Sequence, residues 1–405
     1  MMMIRLAAAW IGLFSFAMSV GAADPLPLPK TNPWDVQRLQ ATNPAFEWLQ
    51  REGPVRSLTY RGEPYQGQPT RVFAYYASPA TVGNTSAKPP YPGIVLVHGG
   101  GGKAFSEWAE LWAKHGYAAI AMDLAGCGPD GARLPDGGPG QGDDTKFGNI
   151  DGPVTDQWTY QAVSAVILAH SWLLHTPDID PQRTAVTGIS WGGYLTCIVA
   201  GLDSRFKVAM PVYGCGFLHE NSAWKAGQLD PMTPPRREKW VTLWDPSQYI
   251  GSADMPVVFL NGTNDFAYPM DSYAKTCRLV QGEKNYSIQF EMPHGHIFDF
   301  REFFPIVDQY LCGGAPLVKI ATPRIADGRV TAEVQGTQPL VAARLHFTTG
   351  PHPQNPTRKW TSRPLEIHGR TISGEAPPSD ATVWYVDVTD DRQLLISSEV
   401  LVPGL

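Results

Sequence analysis

Two glycines that flank one serine constrain this chain more than any other feature of its sequence. The segment 188–192 (GISWG) follows a short run of strand character at 183–187 and precedes a run of helical character at 193–202. A strand that enters a helix through one serine must turn sharply, and the glycines leave space for that turn because they carry no Cβ. The segment therefore predicts a strand–turn–helix unit that holds the Ser190 hydroxyl out at a sheet edge, above a helix N-terminus.

Strands and helices alternate on both sides of this turn. Apolar runs predict buried parallel strands at 94–97, 117–122, 183–187, 207–212, 256–261 and 286–291. Helical spacing is found at 105–115, 156–175, 193–202, 269–280 and 299–311. Two antiparallel strands at 55–61 and 69–77 precede this unit, and a glycine-rich excursion (125–155) and an insertion (213–250) interrupt it. The fold class is therefore α/β, with a mainly parallel sheet flanked by helices.

The composition changes after residue 314. From there to residue 405 the sequence has only short alternating runs separated by turn residues, which predicts a small all-β sandwich of the immunoglobulin-like size. We therefore divide the chain into a leader (1–23), a catalytic domain (24–314) and a β-sandwich module (315–405). We expect the module to have its own hydrophobic pattern and to supply no catalytic group, so that a chain ending near Gly314 still cleaves a small activated ester.

Charge and the N-terminal segment limit the partners and the location. The 405 residues carry a net charge of -6 and no basic run that could follow a phosphate backbone, which argues against nucleic acid as a partner. Residues 1–23 have the pattern of a secretory signal peptide, with cleavage expected after Ala23 or one residue earlier. No later run approaches 18 apolar residues, so we expect a secreted or periplasmic protein without stable membrane insertion. The five cysteines lack close metal-ligand spacing, and we predict neither a metal nor a cofactor.

An acid and a histidine follow later strands in the order expected for a serine nucleophile. Asp265 comes after the predicted strand 256–261, and two histidines, His294 and His296, come after the next one. Reactive groups of such sheets lie at the carboxyl ends of the strands, so these side chains can meet Ser190. We favour His296 as the base because Gly295 lets the backbone bend toward the serine, and His294 is the alternative base. Asp271 is a weaker rival to Asp265.

The glycine run at 98–102 (HGGGG) predicts an oxyanion hole. It follows the buried strand 94–97, and backbone without side chains can approach a ligand closely. Gly100 and Gly101 are the predicted donors from this loop, and the backbone N–H of Trp191 is the other. His98 is expected to brace the loop.

These motifs resemble those of the α/β-hydrolase superfamily. Residues 98–102, 188–192, 262–265 and 295–296 carry the resemblance, which covers about residues 55–312. The chain is most similar to bacterial acetylxylan-esterase-like and prolyl-oligopeptidase-like hydrolases. The resemblance implies a serine hydrolase that acts through an acyl-enzyme on a small-molecule or carbohydrate ester. Oligopeptidases carry a propeller domain before the hydrolase unit, and this sequence does not, which favours an esterase; a peptidase acting on small peptides is the alternative.

Overall fold

The computed structural model describes residues 23–350 and 355–405. The predicted signal peptide lies outside the described residues, apart from Ala23.

The described residues form eighteen strands and seven α-helices. The strands are β1 (Phe46–Gln50), β2 (Arg56–Arg61), β3 (Arg71–Ala77), β4 (Tyr91–Val97), β5 (Ala118–Met122), β6 (Ile179–Ile189), β7 (Val208–Val212), β8 (Val257–Gly262), β9 (Lys284–Gln289), β10 (Lys319–Ile320), β11 (Arg324–Ala326), β12 (Arg329–Gln335), β13 (Leu340–Thr348), β14 (Thr361–Pro364), β15 (Glu366–His368), β16 (Thr371–Glu375), β17 (Val383–Asp390) and β18 (Leu395–Ser397). The helices are α1 (Val36–Ala41), α2 (Ser106–Lys114), α3 (Trp158–Leu174), α4 (Trp191–Leu202), α5 (Pro234–Trp244), α6 (Met270–Leu279) and α7 (Phe303–Leu311).

The core of the molecule is a parallel sheet, as the alternating sequence predicts. Strands β5, β4, β6, β7, β8 and β9 lie side by side in that order, and every neighbouring pair among them is parallel. The antiparallel strands β1, β2 and β3 extend the sheet beyond β5. All residues of β4, β5, β7 and β8 are buried, which explains why these strands are continuous apolar runs rather than alternating ones. The predicted α/β class is confirmed.

The C-terminal strands belong to two sheets, one of which is the large sheet that also contains β1 to β9. Strand β18 pairs antiparallel with β9, and the order then runs β17, β13 and β14. The second sheet has five strands: β10, β12, β16 and β15 lie in that order, and β11 also pairs with β12. The all-β character of this region is confirmed, but the expectation of a separate hydrophobic pattern is wrong. Buried side chains of both regions, such as Ile288 and Ile396, belong to one continuous hydrophobic cluster, because the two regions share a sheet. The division of the chain at residue 314 stays a prediction.

Several element bounds differ from the predicted ones. Helix α5 lies in the segment predicted only as an insertion, and it begins with two prolines, which fit the first turn of a helix because the N–H they lack has no partner there. Strand β9 ends at Gln289, two residues earlier than predicted, so the loop that carries the two histidines is longer. Within the described residues, no helix has the length and apolar character needed to cross a membrane.

Candidate active site

Backbone packing holds Ser190 at the tip of a strained turn. Ser190 lies between β6 and α4 with φ 60° and ψ −119°, in the positive-φ region that a residue with a side chain seldom adopts. A Cβ on Gly188 would lie 2.3 Å from the carbonyl oxygen of Gly192, and one on Gly192 would lie 2.0 Å from that of Val97. Neither glycine can carry a side chain, so the turn that the two glycines predict is present.

Ser190, His294 and Asp265 form a continuous chain of hydrogen-bond contacts. Nε2 of His294 lies 2.9 Å from Oγ of Ser190, and Nδ1 of His294 lies 2.6 Å from Oδ2 of Asp265. A carboxylate only accepts hydrogen bonds, so Nδ1 carries the ring hydrogen and donates a hydrogen bond to Asp265. Nε2 of the neutral ring is then free to accept the serine proton, which is the arrangement that activates a hydroxyl nucleophile.

Asp265 is held in one orientation by backbone donors. Its Oδ1 accepts hydrogen bonds from the N–H groups of Ala267 and Tyr268, both at 2.8 Å, and the residue is only 1% exposed. Oδ2 is thereby left for the histidine. The predicted acid is in place. Its rival Asp271 instead accepts two hydrogen bonds from the side-chain amide of Asn221, both at 3.0 Å, and ties the insertion to α6.

The preference for His296 as the base is wrong, and the alternative His294 takes that position. The His294 ring stacks on Tyr213, with ring centroids 4.5 Å apart, and the Tyr213 hydroxyl donates to the carbonyl of Pro293 at 3.2 Å. These contacts fix the loop so that His294, not His296, lies against the serine. His296 reaches the glycine run, where its Nε2 accepts a hydrogen bond from the N–H of Gly99 at 3.2 Å. Two histidines two residues apart give no sequence signal for this choice.

The glycine run lies beside Ser190 and is braced by two histidines. Nε2 of His98 accepts from the N–H of Leu124 at 2.9 Å, so Nδ1 carries the proton and donates to the carbonyl of Gly99 at 2.8 Å. Burial lowers the pKa of His98 to about 4 and keeps the ring neutral. Burial, and to a smaller extent the neighbouring His98 and His294, lower the pKa of His296 as well. The bracing role predicted for His98 is thus observed.

The predicted oxyanion donors lie around one cleft. Gly100, Gly101 and Trp191 line a cleft of about 420 Å³ together with Ser190 and His294. Trp191 is the first residue of α4, whose N-terminal N–H groups have no acceptor inside the helix. A Cβ on Gly100 would lie 2.7 Å from Cδ1 of Trp191, so the glycine run can approach the elbow only without side chains. The oxyanion-hole role of these three residues stays a prediction.

Aromatic side chains and one lysine complete the cleft. Trp224 and Phe266 line it, and Phe266 is 55% exposed at its rim. Lys146, from the glycine-rich excursion, also lines the cleft and was not predicted, because an isolated lysine in a loop carries no sequence signal. Trp158, the first residue of α3, is instead buried and donates to the carbonyl of Leu124 at 2.7 Å.

Two asparagines join the acid loop to the C-terminal region. The side-chain amide of Asn355 donates to the backbone carbonyl of Asp265 at 2.7 Å, and Asn355 is fully buried. From the other side, the amide of Asn264 donates to the carbonyls of Pro356 at 3.3 Å and Arg358 at 2.8 Å. None of the described C-terminal residues lines the cleft, but the segment between β13 and β14 bonds the loop that carries the acid.

Comparison with known proteins agrees with this geometry. The profile of the prolyl oligopeptidase family matches residues 103–303. An uncharacterized peptidase of Bacillus subtilis (strain 168), YuxL, is 30% identical over 203 residues, which cover 45% of this chain and 27% of that protein. The acetyl esterase Axe7A of Xylanibacter ruminicola is 24% identical over 231 residues, which cover 53% of this chain and 50% of that protein. The chain therefore spans at most half the length of these two relatives.

A solved structure shares the fold over most of its length. The acetyl xylan esterase from Paenibacillus sp. R4 aligns with a TM-score of 0.54 and 21% identity, over 68% of this chain and 92% of that protein. The parallel sheet, the serine elbow and the acid and histidine loops give this chain the α/β-hydrolase fold. The chain is similar to acetyl xylan esterases and to the prolyl oligopeptidase family.

Proposed function

We propose that this protein is a serine hydrolase that cleaves carboxylic esters through an acyl-enzyme on Ser190. The observation that carries the proposal is the unbroken contact chain from Oγ of Ser190 through His294 to Asp265, beside an accessible cleft. The strained backbone at Ser190 also supports the proposal, since such strain is typically found at functional sites.

The geometry supports a two-step reaction. Oγ of Ser190 attacks the ester carbonyl while Nε2 of His294 takes its proton, and Asp265 stabilises the imidazolium that forms. We propose that the N–H of Trp191 and those of Gly100 and Gly101 stabilise the oxyanion. His294 then gives the proton to the leaving alcohol, which departs and leaves an acyl-serine. A water molecule then attacks the acyl carbonyl while His294 takes its proton, and His294 returns that proton to Oγ of Ser190 as the carboxylic acid departs.

Esters are favoured over peptides by the relatives that align over most of their length. The Paenibacillus protein, named as an acetyl xylan esterase, aligns over 92% of its length, whereas YuxL, named as a peptidase, aligns over 27% of its own. The aromatic rim of Trp224 and Phe266 fits the faces of sugar rings, so acetylated carbohydrate is the proposed substrate class. The peptidase similarity keeps cleavage of small peptides as the second candidate.

Ser190→Ala and a substrate panel test the proposal. We expect the wild-type protein to hydrolyse 4-nitrophenyl acetate and acetylated xylooligosaccharides, to react with a fluorophosphonate probe, and to lose all three properties in Ser190→Ala. Aminoacyl-prolyl anilides should be cleaved far more slowly. Faster cleavage of the anilides than of every ester would favour the peptidase, and a wild-type protein that neither reacts with the probe nor turns over any substrate would exclude both.

We also propose export to the periplasm or the medium, on the basis of the N-terminal pattern of residues 1–23. Expression of the full chain in a Gram-negative host should give a mature protein whose N-terminus lies at or next to Asp24, recovered outside the cytoplasm. Recovery of the protein with its first residues intact in the cytoplasmic fraction would contradict export.

A further inference from the structure

Lys146 is the one lysine or arginine among the described residues that line the cleft beside Ser190, and neither an aspartate nor a glutamate is among them. The other lining residues are glycines, aromatic residues, the two histidines, Ile189 and the serine itself. A cation among apolar walls is costly, because transfer of a charge from water to an apolar environment is unfavourable unless the charge is paired.

Lys146 is built into the wall rather than attached to the surface. Only 8% of the residue is exposed, and its ammonium lies 4.3 Å from the centroid of the Trp191 ring. The carbonyl of Lys146 accepts a hydrogen bond from the indole N–H of Trp240 at 2.8 Å, and the adjacent Phe147 packs against both tryptophan rings. The backbone around Lys146 is thereby fixed. Burial also lowers the pKa of this lysine, which records the cost of holding the charge there.

The acid that pairs with Lys146 lies outside the cleft. Oδ1 of Asp143 is 3.4 Å from Nζ of Lys146, the Asp143 side chain is 50% exposed, and Asp143 is not among the residues that line the cleft. Its other oxygen, Oδ2, accepts a hydrogen bond from the side-chain amide of Gln228 at 3.0 Å. An ammonium has three N–H donors, and Asp143 approaches it from one side only. A further anion can therefore bind Nζ from the cleft.

We propose that Lys146 binds a carboxylate of the substrate, so that the preferred ester carries a negative charge on the part that lies over Trp191. A carboxylate there gains a charge-assisted hydrogen bond in a partly desolvated site, where such bonds are stronger than in water. Trp224 and Phe266 contribute apolar contact around it. The inference rests on the proposed ester hydrolysis and names the chemical class of ester.

Two pairs of matched esters test the inference and separate its two forms. In the first pair the alcohol carries the charge: 4-acetoxybenzoate against neutral 4-acetoxybenzamide. In the second pair the acyl group carries it: mono-4-nitrophenyl adipate against its neutral amide. In one of the pairs, at low salt, we expect kcat/KM for the charged ester to be about ten times that for the neutral ester, or more. This ratio should fall as salt is added, since salt screens charge interactions.

Two variants assign any such preference to Lys146. Lys146→Met keeps a long apolar side chain, and its ratio should fall to about 1. Asp143→Asn, the matched control, removes the competing anion and should keep the ratio or raise it. Fluorophosphonate labelling of Ser190 verifies that both variants retain an active serine.

The outcomes also distinguish this inference from the proposed function. Equal kcat/KM values for the charged and neutral esters in both pairs would overturn the role of Lys146 while leaving the esterase intact. A preference that persists in Lys146→Met would overturn it too, since another group would then be its source. Absence of hydrolysis of all four esters together with absence of labelling would instead contradict the proposed function.

Discussion

The serine side and the acid–base side of the candidate active site are held by different kinds of structure. Ser190 is fixed by backbone packing between neighbouring elements. The backbone around Gly188 and Gly192, including the carbonyl of Val97, is so close that neither glycine could carry a side chain. Asp265 and His294 lie in loops and are fixed by hydrogen bonds and ring stacking, including a bond from Asn355, which lies 90 residues further along the chain. The nucleophile thus depends on close backbone packing at the two glycines beside it, whereas its acid partner also depends on a side-chain hydrogen bond from the C-terminal region.

The largest expected effect is that of Ser190→Ala, which tests the chemistry of the serine side without changing its packing. The glycines, not the hydroxyl, make the turn, so the melting temperature should stay within a few degrees of the wild-type value. Loss of a triad nucleophile lowers kcat by roughly 10⁴- to 10⁶-fold. Stopped assays with 4-nitrophenyl acetate measure this loss, and a variant with more than a tenth of the wild-type rate would remove Ser190 from the mechanism.

His294→Ala and His296→Ala sharpen the comparison on the acid–base side. His294 bonds both Ser190 and Asp265, so its loss should lower kcat by about 10⁴-fold. His296 is hydrogen-bonded to neither Ser190 nor Asp265 and accepts one hydrogen bond, from the N–H of Gly99. One neutral hydrogen bond is worth about 0.5–1.5 kcal/mol, so loss of His296 should lower kcat by about tenfold or less. Steady-state kinetics of the two variants decide the matter, and the reverse order of effects would restore His296 as the base.

Asn355→Ala tests whether the acid side depends on the C-terminal region. We expect kcat to fall about 10- to 100-fold with little change in KM, because the Asp265 loop loses a buried bond while the cleft walls remain. The rate of fluorophosphonate labelling should fall with kcat.

Asn285→Ala is the matched control for that variant. The Asn285 amide donates to the carbonyl of Val318 at 2.9 Å, which is the same kind of bond between the same two regions but does not involve Asp265 or its loop. It should lower the melting temperature by a similar amount and leave kcat unchanged. Equal losses of kcat in the two variants would mean that the C-terminal region acts through overall stability alone.

The smallest expected effect concerns pH and the serine side. The pKa of His98 is lowered from 6.5 to about 4 in the folded protein, so between these pH values the unfolded chain binds a proton that the folded chain does not. Stability therefore falls as the pH falls through this window, by on the order of 2 kcal/mol at pH 5. The gap in unfolding free energy between the wild type and His98→Gln, which cannot titrate, should narrow by that amount from pH 7 to pH 5.

Denaturant titrations at the two pH values measure this gap. Asn285→Ala is the control, because it keeps His98 and changes no titratable group, so its gap to the wild type should be the same at both values. A constant gap for His98→Gln would show that the buried ring does not stay neutral.

The sequence predicted the features that arise from short segments. Elbow, glycine run and parallel strands all follow from local patterns, namely glycine spacing and continuous apolar runs. The sequence did not predict which histidine is the base. Tyr213, which follows β7, positions the histidine loop, and nothing near His294 in the sequence indicates that contact. The hydrogen bond from Asn355 to the Asp265 loop was not predicted either, since a single asparagine in a loop forms no recognisable sequence pattern. The position of Lys146 depends on how Trp191 and Trp240 pack, which only the folded chain reveals.

The pairing of β9 with β18 also determines where the large sheet ends. A strand at the edge of a sheet exposes unpaired N–H and C=O groups, which other chains can pair with and so begin to aggregate. In the described residues, β9 is covered by β18, and the edge lies at β14, beyond β17 and β13. Strand β14 has four residues, among them Arg363, and ends in Pro364, which has no N–H to donate. Because of the C-terminal strands, the unpaired edge of the sheet lies away from the histidine loop. That edge is formed by β14, a short strand that resists pairing with other chains.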